Sequence, residues 1–380
     1  MIESAKRLET VQEYYFSKKL REVRGLVAAG KPIINMGIGS PDLQPPTKVL
    51  DAIQKSLGDA SAHKYQSYQG LPELRNAITT FYKRKFSVDS NPENEVLPLM
   101  GSKEGIMHIS MAFLNEGDQV LIPNPGYPTY TSVTKLVGAT PLFYNLSDAT
   151  NWQPDFDALE TQDLTGVKIM WVNYPHMPTG ANATLETFEK LIAFGKKHQI
   201  LIINDNPYSF ILNDTPLSIL QVDGAKDIAL ELNSLSKTFN MAGWRVGMVL
   251  GNSRYINEIL KVKSNMDSGM FYGIQKGAIE ALQLSDDWFT AQNKIYKERR
   301  ALIWQLADKL GARYDRNATG LFVWAKIPQG KKAVEVTDAV LYDKDIFITP
   351  GTIFGSQGEG YIRFSLCVTS EVIKEAIQRL

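Results

Sequence analysis

The chain has a single cysteine in 380 residues, Cys367. That excludes an internal disulfide and a cysteine-based zinc site, and leaves the residue as a small apolar side chain in a strand. Net charge is missing too, since 41 basic residues balance 41 acidic ones. No basic excess argues for nucleic acid or a membrane surface as partner. No apolar run is long enough to span a bilayer, and the first seven residues lack the apolar core of a signal peptide. A soluble cytoplasmic protein is the expectation. Tandem repeats, low-complexity tracts and Gly/Ser linkers are absent as well, so any domain boundary must be packed rather than strung out.

What is present is globular in composition, with 44% hydrophobic and 22% charged residues. The length suits one large domain plus a smaller one. Apolar runs appear at 119–122, 167–172, 200–203, 228–232 and 246–250, mostly separated by helical stretches such as 185–198. This alternation predicts an α/β fold with a mainly parallel central sheet flanked by helices. Ligands bind such sheets beyond the carboxyl ends of the strands. Asn124, Asn173, Asp205 and Lys237 fall there.

Residues 3–30 read as a charged helix, interrupted by Tyr14, Tyr15 and Phe16 and ended at Gly30-Lys31-Pro32. Pro72 and Glu73 start another helix that runs to about residue 85. Residues 286–310 read as one amphipathic helix with Trp288, Ile295, Leu302 and Leu306 on its apolar face. Near the C-terminus come a strand from Leu321, a helix over Val334–Tyr342, a loop over residues 349–355 and a last strand carrying Arg363.

The chemistry concentrates in Ser234-Leu-Ser236-Lys237, which follows an apolar run, with Arg245 eight positions after the lysine. A lysine amine can form an imine with an aldehyde cofactor, and serines with an arginine can bind a phosphate. The Gly101-Ser102-Lys103 turn feeds a helix N-terminus, whose free N–H groups and dipole also suit a phosphate. Asp205 stands at a strand end three residues before Tyr208. Tyr127 lies in a proline-fixed loop, and Gly39 in a glycine turn after the 33–36 strand. Asn173-Tyr-Pro-His176-Met177-Pro-Thr-Gly180 and Tyr65-Gln-Ser-Tyr-Gln-Gly70 complete the set.

From about residue 31 to 366 these motifs, in this order, resemble the class I/II aminotransferases, which are fold-type I pyridoxal-phosphate enzymes. The resemblance implies that Lys237 holds pyridoxal phosphate as an imine and later moves the α-proton. It implies that Asp205 pairs with the pyridinium nitrogen, Tyr208 bonds the phenolic oxygen and Tyr127 stacks on the ring. Gly101, Ser102, Lys103, Ser234, Ser236 and Arg245 would serve the phosphate, and Asn173 belongs to the cofactor-binding motif. The segment with Gly39 would close over the substrate, and Arg363 would take the α-carboxylate. Tyr65 would reach the phosphate of a neighbouring subunit, so the active unit is expected to be a homodimer with shared sites.

Met177 departs from the pattern. The family usually has asparagine there, bonding the phenolic oxygen, and methionine cannot donate. His176 next to it reads as structural. No metal is expected.

The implied reaction is a ping-pong transfer between an α-amino acid and a 2-oxoacid, with 2-oxoglutarate the expected acceptor. Two further readings follow from the same resemblance. One is β-elimination on a cysteine conjugate. The other is a cofactor-binding regulator, although such relatives carry a DNA-binding domain for which this chain has no basic segment. The expected domains are residues 1–45 and 281–380, forming a small domain, around a cofactor-binding domain over 46–280.

Overall fold

The computed structural model describes residues 2–11, 13 and 15–380. Tyr14 lies outside them. In chain order the strands are β1 (Ile34–Asn35), β2 (Val96–Leu99), β3 (Gln119–Asn124), β4 (Thr140–Asn145), β5 (Val167–Val172), β6 (Leu201–Asp205) and β7 (Ala229–Ser234). They continue with β8 (Gly247–Gly251), β9 (Arg313–Tyr314), β10 (Phe322–Lys326), β11 (Ile346–Phe347), β12 (Thr349–Pro350) and β13 (Tyr361–Ser365).

The five apolar runs become β3, β5, β6, β7 and β8. They join β2 and β4 in a seven-stranded sheet ordered β2-β8-β7-β6-β5-β3-β4. Only β8 runs antiparallel to its neighbours, so the sheet is mainly parallel, as expected. Side chains alternate across it. Val120 and Ile122 pack with the helices Ser102–Phe113 and Ser253–Lys263 on one face, while Leu121 joins Ile78, Phe81 and Leu191 on the other. Two covered faces explain why these strands read as nearly continuous apolar runs.

A second core lies around the antiparallel sheet β12-β13-β10-β9. The parallel pair β1–β11 brings the N-terminal segment beside it, with Ile34 opposite Ile346. The bidentate ion pair of Arg299 with Asp42, at 2.7 and 2.8 Å, ties that segment to the long helix Asp286–Lys309.

Three local expectations need correction. Among the described residues the first α-helix spans Tyr15–Ala28, preceded by a short turn of 3₁₀ helix at Lys6–Leu8. In the long helix the buried stripe is Phe289, Gln292, Tyr296, Arg299, Ile303, Leu306 and Ala307, whereas Ile295 is 38% exposed. Two polar residues hold that stripe: Arg299 through Asp42, and Gln292 through Asn240 and the Thr238 carbonyl. Of the four residues expected on the apolar face, Leu306 is buried and Trp288 and Leu302 pack against the cores, so only Ile295 is misplaced. Finally, the loop at 349–355 contains β12 and a turn of 3₁₀ helix, Gly351–Phe354. Among the described residues no helix is long and apolar enough to cross a membrane.

Candidate active site

The carboxyl ends of β5, β6 and β7 open into one cavity of about 490 Å³. β6 delivers Asp205 as its last residue, and β7 ends at Ser234, where the short helix Leu235–Thr238 carries Ser236 and Lys237 inward. From the other core come Arg363, Phe322 and Phe354, and from the segment after β1 come Ile38, Gly39 and Ser40. Twelve of the fourteen expected site residues line this cavity: Gly39, Ser102, Lys103, Tyr127, Asn173, Asp205, Tyr208, Ser234, Ser236, Lys237, Arg245 and Arg363.

Lys237 Nζ donates to the Gly39 carbonyl. Burial lowers its pKa, reinforced by Arg363 and Arg245. A depressed pKa enlarges the neutral fraction, the form that acts as nucleophile or base.

Asp205 is 4% exposed, and burial pushes its pKa up to about 7. Tyr130 donates to Oδ2 at 2.9 Å, which offsets part of that burial. Oδ1 is buried without a partner. A buried carboxylate oxygen with no donor calls for one, and a cationic N–H in the cavity would supply it. Tyr130 was not predicted, although it lies in the same proline-fixed stretch as Tyr127. Its ring stacks on Trp171 with centroids 4.9 Å apart, a tertiary contact without a sequence signal.

Asn173 does not point at the cavity's centre alone. Its amide donates to the Asp205 carbonyl and its oxygen accepts from the Met177 N–H at 2.9 Å, so it braces two walls. His176 is buried, bonds Thr179 at 2.8 Å and has its pKa pushed down to about 3 by desolvation, which fits a structural residue.

At the far end Arg245 adopts φ +57, a left-handed conformation uncommon outside glycine, where it caps the 3₁₀ turn Ala242–Trp244. Its Nη1 donates to the Ala242 carbonyl at 2.8 Å and lies 3.5 Å from Ser236 Oγ. Gly101, the N-cap of the helix Ser102–Phe113, does not line the cavity itself, but a Cβ there would collide with the Arg245 guanidinium. The glycine lets the arginine lie against the helix N-terminus. Together they form an anion cradle of Arg245, Ser102, Ser234 and Ser236. Burial and Arg245 both depress the pKa of Lys103 beside it.

Arg363 is 4% exposed, with its guanidinium 3.9 Å from the Phe322 ring centre, 4.6 Å from Phe354 and 5.5 Å from Phe16. Nη2 donates to the Gly37 carbonyl at 2.7 Å, and Nη1 lies 3.5 Å from Met177 Sδ. Met177 therefore supports the arginine weakly through sulfur. Phe16 and Phe354 were missed because only the folded chain brings them to Arg363.

Tyr65, the other expected residue outside the lining, is 91% exposed. Among the described residues Glu104, His108 and Asp267 also converge, with ligand atoms within 4.8 Å of one another. The buried ammonium of Lys263 pairs with Asp267 at 2.8 Å.

The family model for aminotransferase class I and II matches residues 31–380. The chain belongs to the class I and II aminotransferases. It is 40% identical to the LL-diaminopimelate aminotransferase of Aquifex aeolicus, over 100% of this chain and 99% of that one. Identity to the LL-diaminopimelate aminotransferase 2 of Trichormus variabilis is 41%, over 99% and 97%. Among solved structures, apo-BacF from Bacillus subtilis superposes with a TM-score of 0.96 at 35% identity, covering 100% of this chain and 98% of that one. This aminotransferase is thus a pyridoxal-phosphate-dependent transaminase of fold-type I. The residues present fit that group: a buried, donor-seeking carboxylate oxygen, a phosphate cradle and a desolvated lysine occupy one cavity.

Proposed function

We propose that the residues gathered in this cavity perform the transamination, with 2-oxoglutarate as acceptor. The observation that carries the assignment is the convergence of Lys237, the unpartnered Oδ1 of Asp205 and Arg363 in one cavity. Bound there, pyridoxal phosphate supplies an electron sink for the electrons left at the substrate α-carbon. Lys237 would hold the cofactor, and its neutral amine would move the substrate α-proton. Asp205, with Oδ1 unpartnered, would accept from the cofactor's ring nitrogen and favour its protonated form. Tyr208 and Tyr127 line the cavity where they would hold the cofactor ring, and the Arg245 cradle would hold its phosphate. Asn173 keeps Asp205 in place, and Gly39 shapes the floor beneath the substrate.

Arg363 receives the α-carboxylate as a planar fork. Its aromatic surroundings keep that ion pair dry, which strengthens it. Met177 has no donor to offer the phenolic oxygen, so that contact would fall to Tyr208.

The working unit is a homodimer in which Tyr65 completes the partner's phosphate site. In support, Tyr65, Tyr68, Met266 and Phe271 are exposed. Their two segments also adjoin, since a Cβ on Gly269 would lie 2.5 Å from the Gln66 carbonyl oxygen. The domain division at residues 1–45, 46–280 and 281–380 belongs to the same reading, supported by the Asp42–Arg299 pair, as does a cytoplasmic location. Following glutamate formed from 2-oxoglutarate across a panel of amino-acid donors tests the function. If no donor yields glutamate, the proposal fails.

A further inference from the structure

An acidic side chain interrupts the apolar run of β7. Glu231 is fully buried, projects from the opposite face of the strand to Ser234, and pairs in register with Asn204 of β6. Five donors converge on its carboxylate. Asn206 Nδ2 lies 3.3 Å from Oε1, while Asn204 Nδ2 and the Ile219 N–H lie 3.4 and 3.0 Å from Oε2. The hydroxyls of Tyr82 and Ser218 complete the set. Burial raises the Glu231 pKa, and Ser218, Ile219, Tyr82 and Asn206 act against that rise. An ion inside a core carries a desolvation cost that its bonds offset only in part, and a well-packed apolar residue fills the same space without it. Stability therefore gives no reason for a carboxylate here, and its partners do.

Those partners lead to the cavity along two branches. On β6, Asn204 and Asn206 stand one residue either side of Asp205. Asn204 Oδ1 accepts from the Tyr174 N–H at 2.9 Å, which fixes the backbone next to Asn173, and Asn173 donates to the Asp205 carbonyl. Asn206 accepts from the Ser209 hydroxyl and donates to the Leu217 carbonyl at 3.1 Å, which fixes the turn that carries Tyr208. On β7, the Tyr82 hydroxyl accepts from Asn233 Nδ2 at 3.0 Å, and Asn233 Oδ1 accepts from the Ser234 N–H at 2.7 Å.

We propose that Glu231 is a positioning residue for the transamination. From the other face of the sheet it sets Asp205 through Asn204 and Asn206, and Ser234 through Tyr82 and Asn233. Glu231 itself does not line the cavity. The proposal rests on the reading of Asp205 as partner of the ring nitrogen and of Ser234 as part of the phosphate cradle.

Glu231→Gln tests it, since glutamine keeps the shape and one acceptor oxygen but turns an NH₂ group toward donors. Pyridoxal phosphate and phosphate-free pyridoxal are titrated into the apoproteins, and the visible absorbance of the loaded proteins is followed against pH. In Glu231→Gln both ligands are expected to bind about tenfold more weakly, because both branches loosen. The absorbance midpoint is expected to rise by about one pH unit, since a ring nitrogen less firmly protonated leaves the lysine imine more basic. For the donor that yields most glutamate, kcat should fall about tenfold while KM stays within about twofold, because Arg363 belongs to the other core. Lower stability with an unmoved absorbance midpoint would make Glu231 a structural residue and overturn the proposal.

Tyr82→Phe deletes one hydroxyl and cuts only the branch to Ser234. It is expected to weaken pyridoxal phosphate about fivefold while pyridoxal and the absorbance midpoint stay as in the wild type. This variant decides the matter if Glu231→Gln folds poorly, since an equal loss for both ligands, or for neither, overturns the proposal. Failure of the underlying reading looks different. In that case Asp205→Asn itself leaves the absorbance midpoint unmoved, whatever the Glu231 and Tyr82 variants do.

Discussion

Asp205→Asn separates what burial does to this carboxylate from what a bound cation does with it. Burial raises its pKa from an ordinary 3.8 to about 7. In the apoprotein the folded state therefore holds a proton that the unfolded chain has already released. Between those two values the native state binds more protons than the unfolded one, so stability falls as pH rises. The penalty is complete above about pH 7 and amounts to roughly 4 kcal/mol, at about 1.4 kcal/mol per tenfold. Asparagine does not titrate. It can still accept from the Tyr130 hydroxyl. The difference in unfolding free energy between variant and wild-type apoprotein should therefore shift by about 2 kcal/mol in favour of the variant between about pH 5.5 and about pH 8.5. Denaturant unfolding at fixed protein concentration reads this difference directly. In the loaded enzyme the sign reverses, because the pyridinium partner then stabilises the carboxylate. Transamination by Asp205→Asn should slow by about two orders of magnitude or more. A pH-independent stability difference together with near-normal turnover would refute the reasoning.

Two further outcomes follow from the same geometry. Arg363→Lys should raise donor KM and lower kcat/KM about tenfold or more, since one ammonium cannot replace a bidentate fork set among three aromatic rings. Loss of cofactor with retained donor affinity would make Arg363 a structural residue. A mixed dimer of Lys237→Ala and Tyr65→Ala chains should hold one site with both defects and one wild-type site, giving about half the activity of the native dimer. Activity no better than the Tyr65→Ala parent at limiting cofactor would rule out shared sites.

The central strands were legible because β3, β5, β6, β7 and β8 are buried on both faces and so read as unbroken apolar runs. Edge strand β4 was not, because most of its residues are exposed or half-buried. β2 escaped because Pro98 stands inside it, a residue that argues against a strand. Within the site, Lys237, Asp205, Arg245 and Arg363 were singled out through the resemblance to the family's motifs, and the fold brings all four to one cavity. Tyr130 was not, since its bond to Asp205 spans 75 residues of chain. The aromatic surround of Arg363 was equally hidden: Phe16, Phe322 and Phe354 come from three distant segments and meet only in the packed structure.

The account stands or falls on Lys237 as the residue that holds the cofactor. Loading the protein with pyridoxal phosphate, reducing it with borohydride and mapping the modified peptide tests this most directly. The expected result is a yellow protein, bleached on reduction, with one adduct per chain on Lys237. An adduct on Lys103 or any other lysine would contradict it.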